Sequence, residues 1–124
     1  MGTPESSFVV AEWADAGGGD DPRLLIAPVH VHHRDDEAWY VLSGQLGFRL
    51  GAREVVVDSG GGAFVPRGVA HTFWNPSPSP ARYLLVTTPR IMELVDSLHA
   101  AEDRSPAAMD AIWARYDSEM LGWD

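Results

Sequence analysis

The chain contains no cysteine, which removes disulfide staples, thiolate nucleophiles and Cys-ligated zinc from consideration. Basic residues are scarce: 9 Lys and Arg face 18 Asp and Glu, for a formal charge of −9. Such a surface repels phosphate backbones and anionic lipid, so neither nucleic acid nor membrane is expected as a partner. Long apolar runs are missing too, and nothing approaches the roughly 20 residues that a bilayer-spanning helix needs. The stretch from Met1 to Ser7 carries neither the basic nor the apolar region of a secretory leader. With thiols absent as well, the expected location is cytoplasmic. What is present, 124 residues with 45% hydrophobic content, suffices for one domain with a real core and is too short for two.

Turn-forming residues divide the first part of the chain into short apolar segments. Ser7–Trp13, Arg23–His32, Glu37–Ser43, Leu46–Leu50, Arg53–Val57, Ala63–Val65, Ala70–Trp74 and Arg82–Thr87 all read as strands. Between them lie Gly17–Pro22, the polar His33–Asp36, Ser43-Gly44-Gln45, Gly51-Ala52, Asp58–Gly62, Pro66-Arg67-Gly68 and Asn75–Pro80. Gly44 and Gly68 fall where a reversal calls for positive φ. About eight strands at this spacing predict a small β-barrel or jelly roll over residues 1–88. Residues 89–124 differ. Thr88-Pro89 and Ser105-Pro106 each set an N-cap before a proline at the first helical position. Ile91, Leu94, Val95 and Leu98 keep helical spacing, as do Met109, Ile112, Trp113, Tyr116 and Met120. Two C-terminal helices are therefore expected, packed on the barrel or, alternatively, covering its mouth.

The chemistry concentrates between Pro28 and Gly44. His30 and His32 are two apart on a strand, so both imidazoles point the same way. Same-face neighbours lie roughly 7 Å apart, close enough for both rings to reach one ion at about 2.1 Å. A hairpin brings the Glu37 carboxylate back toward them, and His71 offers a third imidazole. Three histidines and a carboxylate suit one divalent transition metal (Fe, Ni, Mn, Co, Cu or Zn) and disfavour Ca and Mg. On a six-coordinate ion these four ligands leave two adjacent positions for a substrate, which a closed structural zinc site lacks. His33 faces away from His32 on any extended strand and reads as a turn residue. His99, in the first helix, has no ligand neighbours. Trp39 and Val41 share the face of Glu37, and Phe73 that of His71. Phe48, Phe64, Tyr83 and Leu85 are further candidates for an apolar, aromatic substrate cavity, with barrel core as the competing role. Gly60-Gly61-Gly62 lacks the lysine of a P-loop, and no serine elbow is present.

Two gapped patterns now bear on identity. His30-Val31-His32, four residues, Glu37, six residues and Gly44 resemble the first cupin motif; only its opening glycine is missing, with Leu24 in its place. Gly60, five residues, Pro66-Arg67-Gly68, two residues, His71, three residues and Asn75 resemble the second. The resemblance implies a cupin barrel with His30, His32, Glu37 and His71 as metal ligands. Within cupins, His32-His33, Asp36–Leu42, Phe64–Gly68 and Ala114-Arg115-Tyr116 through Leu121-Gly122 look like small single-domain bacterial proteins similar to quercetin dioxygenase. That likeness implies oxygenation of an enolate by O2, with Glu37 serving both as ligand and as base for a substrate hydroxyl.

Three functions follow as expectations: a dioxygenase acting on a small enolisable or aromatic (flavonol-like or polyketide-like) compound; a non-oxidative isomerase, cyclase or lyase using the ion as a Lewis acid; or a small-molecule-binding module without chemistry. A homodimer is expected, with Trp13, Trp113 and Trp123 as candidate anchors and core burial as their competing role.

Overall fold

A computed structural model describes residues 2–17 and 24–124. The expected Gly17–Pro22 loop and the Arg23 start of the second strand fall mostly outside the described residues. The remaining segments form strands close to where the turn residues bound them. They are β1 (Val9–Asp15), β2 (Leu25–His32), β3 (Glu37–Ser43), β4 (Gln45–Leu50), β5 (Arg53–Asp58), β6 (Gly62–Val65), β7 (His71–Trp74) and β8 (Ala81–Thr87). Two helices follow, α1 (Pro89–Ala100) and α2 (Pro106–Arg115), and then a strand, β9 (Ser118–Gly122).

The strands lie in two antiparallel sheets, ordered β1-β8-β3-β6 and β5-β4-β7-β2-β9. Their inner faces share one core: Trp39, Val41, Val65, Tyr83 and Leu85 come from the first sheet, and Leu46, Phe48 and Phe73 from the second. The architecture is a jelly-roll sandwich whose sheets do not close into a continuous barrel. The described crossings from β3 to β4, β5 to β6, β6 to β7 and β7 to β8 carry glycine or proline, which weaken or interrupt a hydrogen-bond ladder, whereas the β2-to-β3 crossing at 33–36 has neither. Gly44 makes the β3-to-β4 crossing at φ 79°, and a Cβ there would stand 2.6 Å from the Pro80 carbonyl oxygen. Only glycine fits both constraints.

Both helices begin as their sequences predict. Thr88 Oγ1 accepts from the Ile91 amide and Ser105 Oγ from the Ala108 amide, each ahead of a proline in the first turn. The second helix does not run to Met120, as its apolar spacing implied. It ends at Arg115 because Asp117 adopts φ 51°, a left-handed cap that Gly usually supplies. The chain then returns as β9 along the edge of β2, pairing His30 with Met120 and His32 with Ser118. Ile91, Leu94 and Trp113 form a second buried cluster with Leu98, Ile112, Tyr116 and Met120 against it.

Candidate metal centre

Four side chains meet at the inner ends of β2, β3 and β7. The β2–β7 register, irregular on either side of Ala27, sets His30 beside His71 with ring centroids 4.2 Å apart. Pro28 occupies this irregular stretch, where a missing backbone N–H does least harm to a strand paired on both sides. His32, two residues further along β2, faces the same point. Glu37 opens β3, and its Oε1 lies 2.8 Å from His32 Nε2 and 3.1 Å from His71 Nε2. One ligand atom from each of His30, His32, Glu37 and His71 lies within 4.8 Å of all the others, and all four residues are buried.

The hydrogen bonds on the far sides of the rings fix their chemistry. His30 Nδ1 contacts the Pro28 carbonyl at 2.6 Å, and His71 Nδ1 the Val69 carbonyl at 3.0 Å. A carbonyl only accepts, so both Nδ1 atoms carry a proton, and Nε2 is the nitrogen that each ring turns inward. His32 Nδ1 meets Ser118 Oγ at 2.7 Å. Burial, reinforced by the neighbouring His71 and His32, pushes the His30 imidazole down from about 6.5 to about 3, so it stays neutral. Burial alone would raise the Glu37 carboxyl, but contacts with His32 and His71 outweigh it and hold the group well below the ordinary range. The inward Nε2 atoms and the Glu37 carboxylate converge, and a cation can take them all once any Nε2 proton is displaced. The donor set therefore fits a divalent transition metal that takes imidazole and carboxylate ligands together.

The family model for the cupin domain matches residues 21–87, more than half of the chain. The chain belongs to the cupin family. Among solved structures, this cupin is similar to TT1209 from Thermus thermophilus: 34% identity, TM-score 0.58, covering 68% of this chain and 76% of that one. It also resembles a sugar phosphate isomerase of the cupin superfamily from Silicibacter pomeroyi at 28% identity and TM-score 0.57, covering 67% of this chain and 51% of the other. A predicted oxalate decarboxylase from Thermotoga maritima shares the fold at 21% identity and TM-score 0.56, with 64% of each chain covered. The chain thus spans about half and under two thirds of those last two. No curated protein matches the sequence significantly.

The aromatic candidates divide between this cupin's interior and its surface. Trp39 is buried beside His71, with centroids 5.8 Å apart, and touches Phe48 and Phe73. Phe73 in turn packs on Tyr83, while Val41, Phe48 and Leu85 complete the same core. Phe64 stands apart from them: it pairs with Ala38 on the outer face of the first sheet and is 58% exposed. His33 lies in the bend after β2, as expected, and is exposed. His99 is exposed as well, with its ring edge against Trp13.

Two contributors have no counterpart in the motifs. Trp113 of α2 lies over His30 and His32, with centroids 5.0 and 6.3 Å away, and is buried, so it is not free to anchor a dimer. Asp35 is buried in the β2–β3 loop, where Thr88 Oγ1 and Arg90 Nη2 donate to its two oxygens at 2.9 and 2.6 Å. Trp113 carries a sequence signal, since it is the large residue on the apolar stripe of α2. Asp35 carries none, because its partners come from a helix 55 residues away.

Proposed function

We propose that this cupin is a metal-dependent enzyme, with oxygenation of a small enolisable or aromatic compound as its reaction. The observation that carries the reading is the convergence of three inward-facing imidazoles and an ionised carboxylate beside an aromatic wall. A divalent ion held there would supply charge to an enolate oxygen and positions for co-substrates. Glu37 uses Oε1 for both imidazole contacts, and Oε2 is the oxygen left to take a substrate proton. Trp39 Nε1 is buried without a hydrogen-bond partner among the described residues, and an acceptor oxygen on the substrate would satisfy it.

A non-oxidative isomerase or lyase is the second reading, supported by the likeness to a sugar phosphate isomerase. One observation weighs against a phosphorylated substrate. The buried polar residues are histidine, acidic or neutral, with no Lys or Arg among the described ones, whereas phosphate recognition relies on cationic donors. The packed rings of Trp39, Phe48, Phe73 and Tyr83 limit the substrate to a small molecule unless Trp113 and its helix move aside. A cytoplasmic homodimer is the assembly we propose, with the exposed Phe8, Tyr40 and Phe64 as apolar surface available to it; a monomeric mass by light scattering would remove the dimer. For the chemistry, the metal-loaded protein is screened against enolisable and phenolic compounds with and without oxygen. O2 uptake matched to product is the expected result. Turnover that continues unchanged under strict anaerobiosis, or with Zn replacing a redox-active ion, would transfer the assignment to the non-oxidative reading.

A further inference from the structure

Two of the three imidazoles find their Nδ1 acceptor on their own strand or the turn before it, two residues back: Pro28 for His30 and Val69 for His71. His32 does not. Its acceptor is Ser118 Oγ, 86 residues away on β9 and beyond the stretch matched by the cupin model. Ser118 has one hydroxyl proton, which it donates to the Tyr116 carbonyl at 3.1 Å. Only lone pairs remain for His32, so Nδ1 must carry a proton, and Nε2 is the nitrogen left to a metal ion. Among the three rings, His32 alone takes its Nδ1 partner from the tail.

Ser118 is held by the residue before it. The Asp117 carbonyl accepts from the His33 amide at 2.9 Å, and its carboxylate takes Arg90 Nη1 at 2.8 Å. The other terminal nitrogen of Arg90 reaches Asp35 at 2.6 Å, in the loop between His32 and Glu37. One guanidinium therefore ties the start of α1 to the metal-side loop and to the turn that presents Ser118. Planar, two-pronged pairing of this kind fixes geometry as well as charge.

We infer that Ser118 is a positioning residue of the metal centre, setting the tautomer and ring plane of His32, and that Arg90, bridging Asp35 and Asp117, keeps it in reach. The inference rests on reading the four-residue cluster as a metal site. Without the hydroxyl, the His32 Nδ1 proton is stranded in a buried environment. The favoured alternative is then Nε2–H donating to Glu37, only 2.8 Å away. That tautomer cannot ligate.

Long-range imidazole nitrogen–proton NMR on the metal-free full chain at neutral pH reads the tautomer directly, and Co2+ titration reads the affinity. In Ser118→Ala the His32 Nδ1 proton is lost, leaving the ring protonated on Nε2 toward Glu37, and the Co2+ dissociation constant rises about 10- to 100-fold, as for loss of a hydrogen-bond partner behind a metal ligand. Ser118→Thr, which keeps the hydroxyl, restores both. Arg90→Met shifts both in the same direction with Ser118 still present. An S118A protein that keeps the Nδ1 proton and binds Co2+ as tightly as the native chain overturns the inference. If S118A does not fold, R90M decides by the same two measurements. Should the native protein bind no Co2+ while S118A still loses the Nδ1 proton, the metal reading fails and the hold of Ser118 on His32 stands.

Discussion

Glu37 is the residue on which the centre turns, since two imidazoles share one of its oxygens. Glu37→Gln and His71→Ala should each weaken divalent-metal binding by more than the roughly 10- to 100-fold cost of losing an outer hydrogen-bond partner. Both should keep their far-UV circular dichroism, because the core of the two sheets lies elsewhere; calorimetric titration beside the spectrum checks this. Acid is expected to destabilise the metal-free protein. His30 titrates near 6.5 when unfolded and near 3 when folded, so below about 6.5 the unfolded chain binds the extra proton and stability falls as pH falls. Glu37, also held below its ordinary value when folded, adds to the loss as pH drops through the range where an unfolded carboxylate protonates. Urea midpoints of the metal-free protein should therefore decline from pH 7 toward pH 4, and a flat profile would contradict both assignments.

Among the elements, β4 and β7 show how closely the scaffold is fitted around the ligands. Gly47 faces Trp74 across the two strands, and a Cβ on it would stand 2.4 Å from the indole. Trp74 is 4% exposed and has no room to retreat. Gly47→Ala should cost about 1–3 kcal/mol, as overpacking does elsewhere. Denaturant unfolding measures that loss, and the protein that remains folded should still bind metal. Elements were legible in the sequence wherever local chemistry decides them: the strands between turn residues, and both helix starts at Thr88-Pro89 and Ser105-Pro106. The end of α2 was not. Met109, Ile112, Trp113, Tyr116 and Met120 keep a helical period, but Met120 reaches the second cluster from a strand. The break is made by an aspartate in a glycine-like conformation, held by Arg90, and no local pattern marks it.

For the whole molecule, a ligand that binds only the native state stabilises it by mass action. At 100 times its dissociation constant, a bound ion adds about 2.7 kcal/mol. For a domain of this size that is a rise in melting temperature on the order of 10 °C. Scanning calorimetry with and without metal should show the rise, and EDTA should reverse it. The four clustered residues, His30, His32, Glu37 and His71, could be named from spacing because strand periodicity and two gapped motifs place them. Phe64 lies on the outer face rather than in the interior, since alternation says which residues share a face but not which face turns inward. Ser118, Asp35 and Arg90 were out of reach, because each matters only through partners brought near by the tertiary fold.

That dependence on a distant strand bears on how the protein regains its form after denaturation. Glu37 and His71 are 34 residues apart, on β3 and β7 of opposite sheets, and their meeting comes with the packing of the two sheets. The contact that orients His32 closes a loop of 86 residues and comes with the docking of β9, and such distant closures are slow. A refolding chain is therefore expected to recover its aromatic interior first and to pass through a stage in which the site is assembled but cannot yet capture its ion.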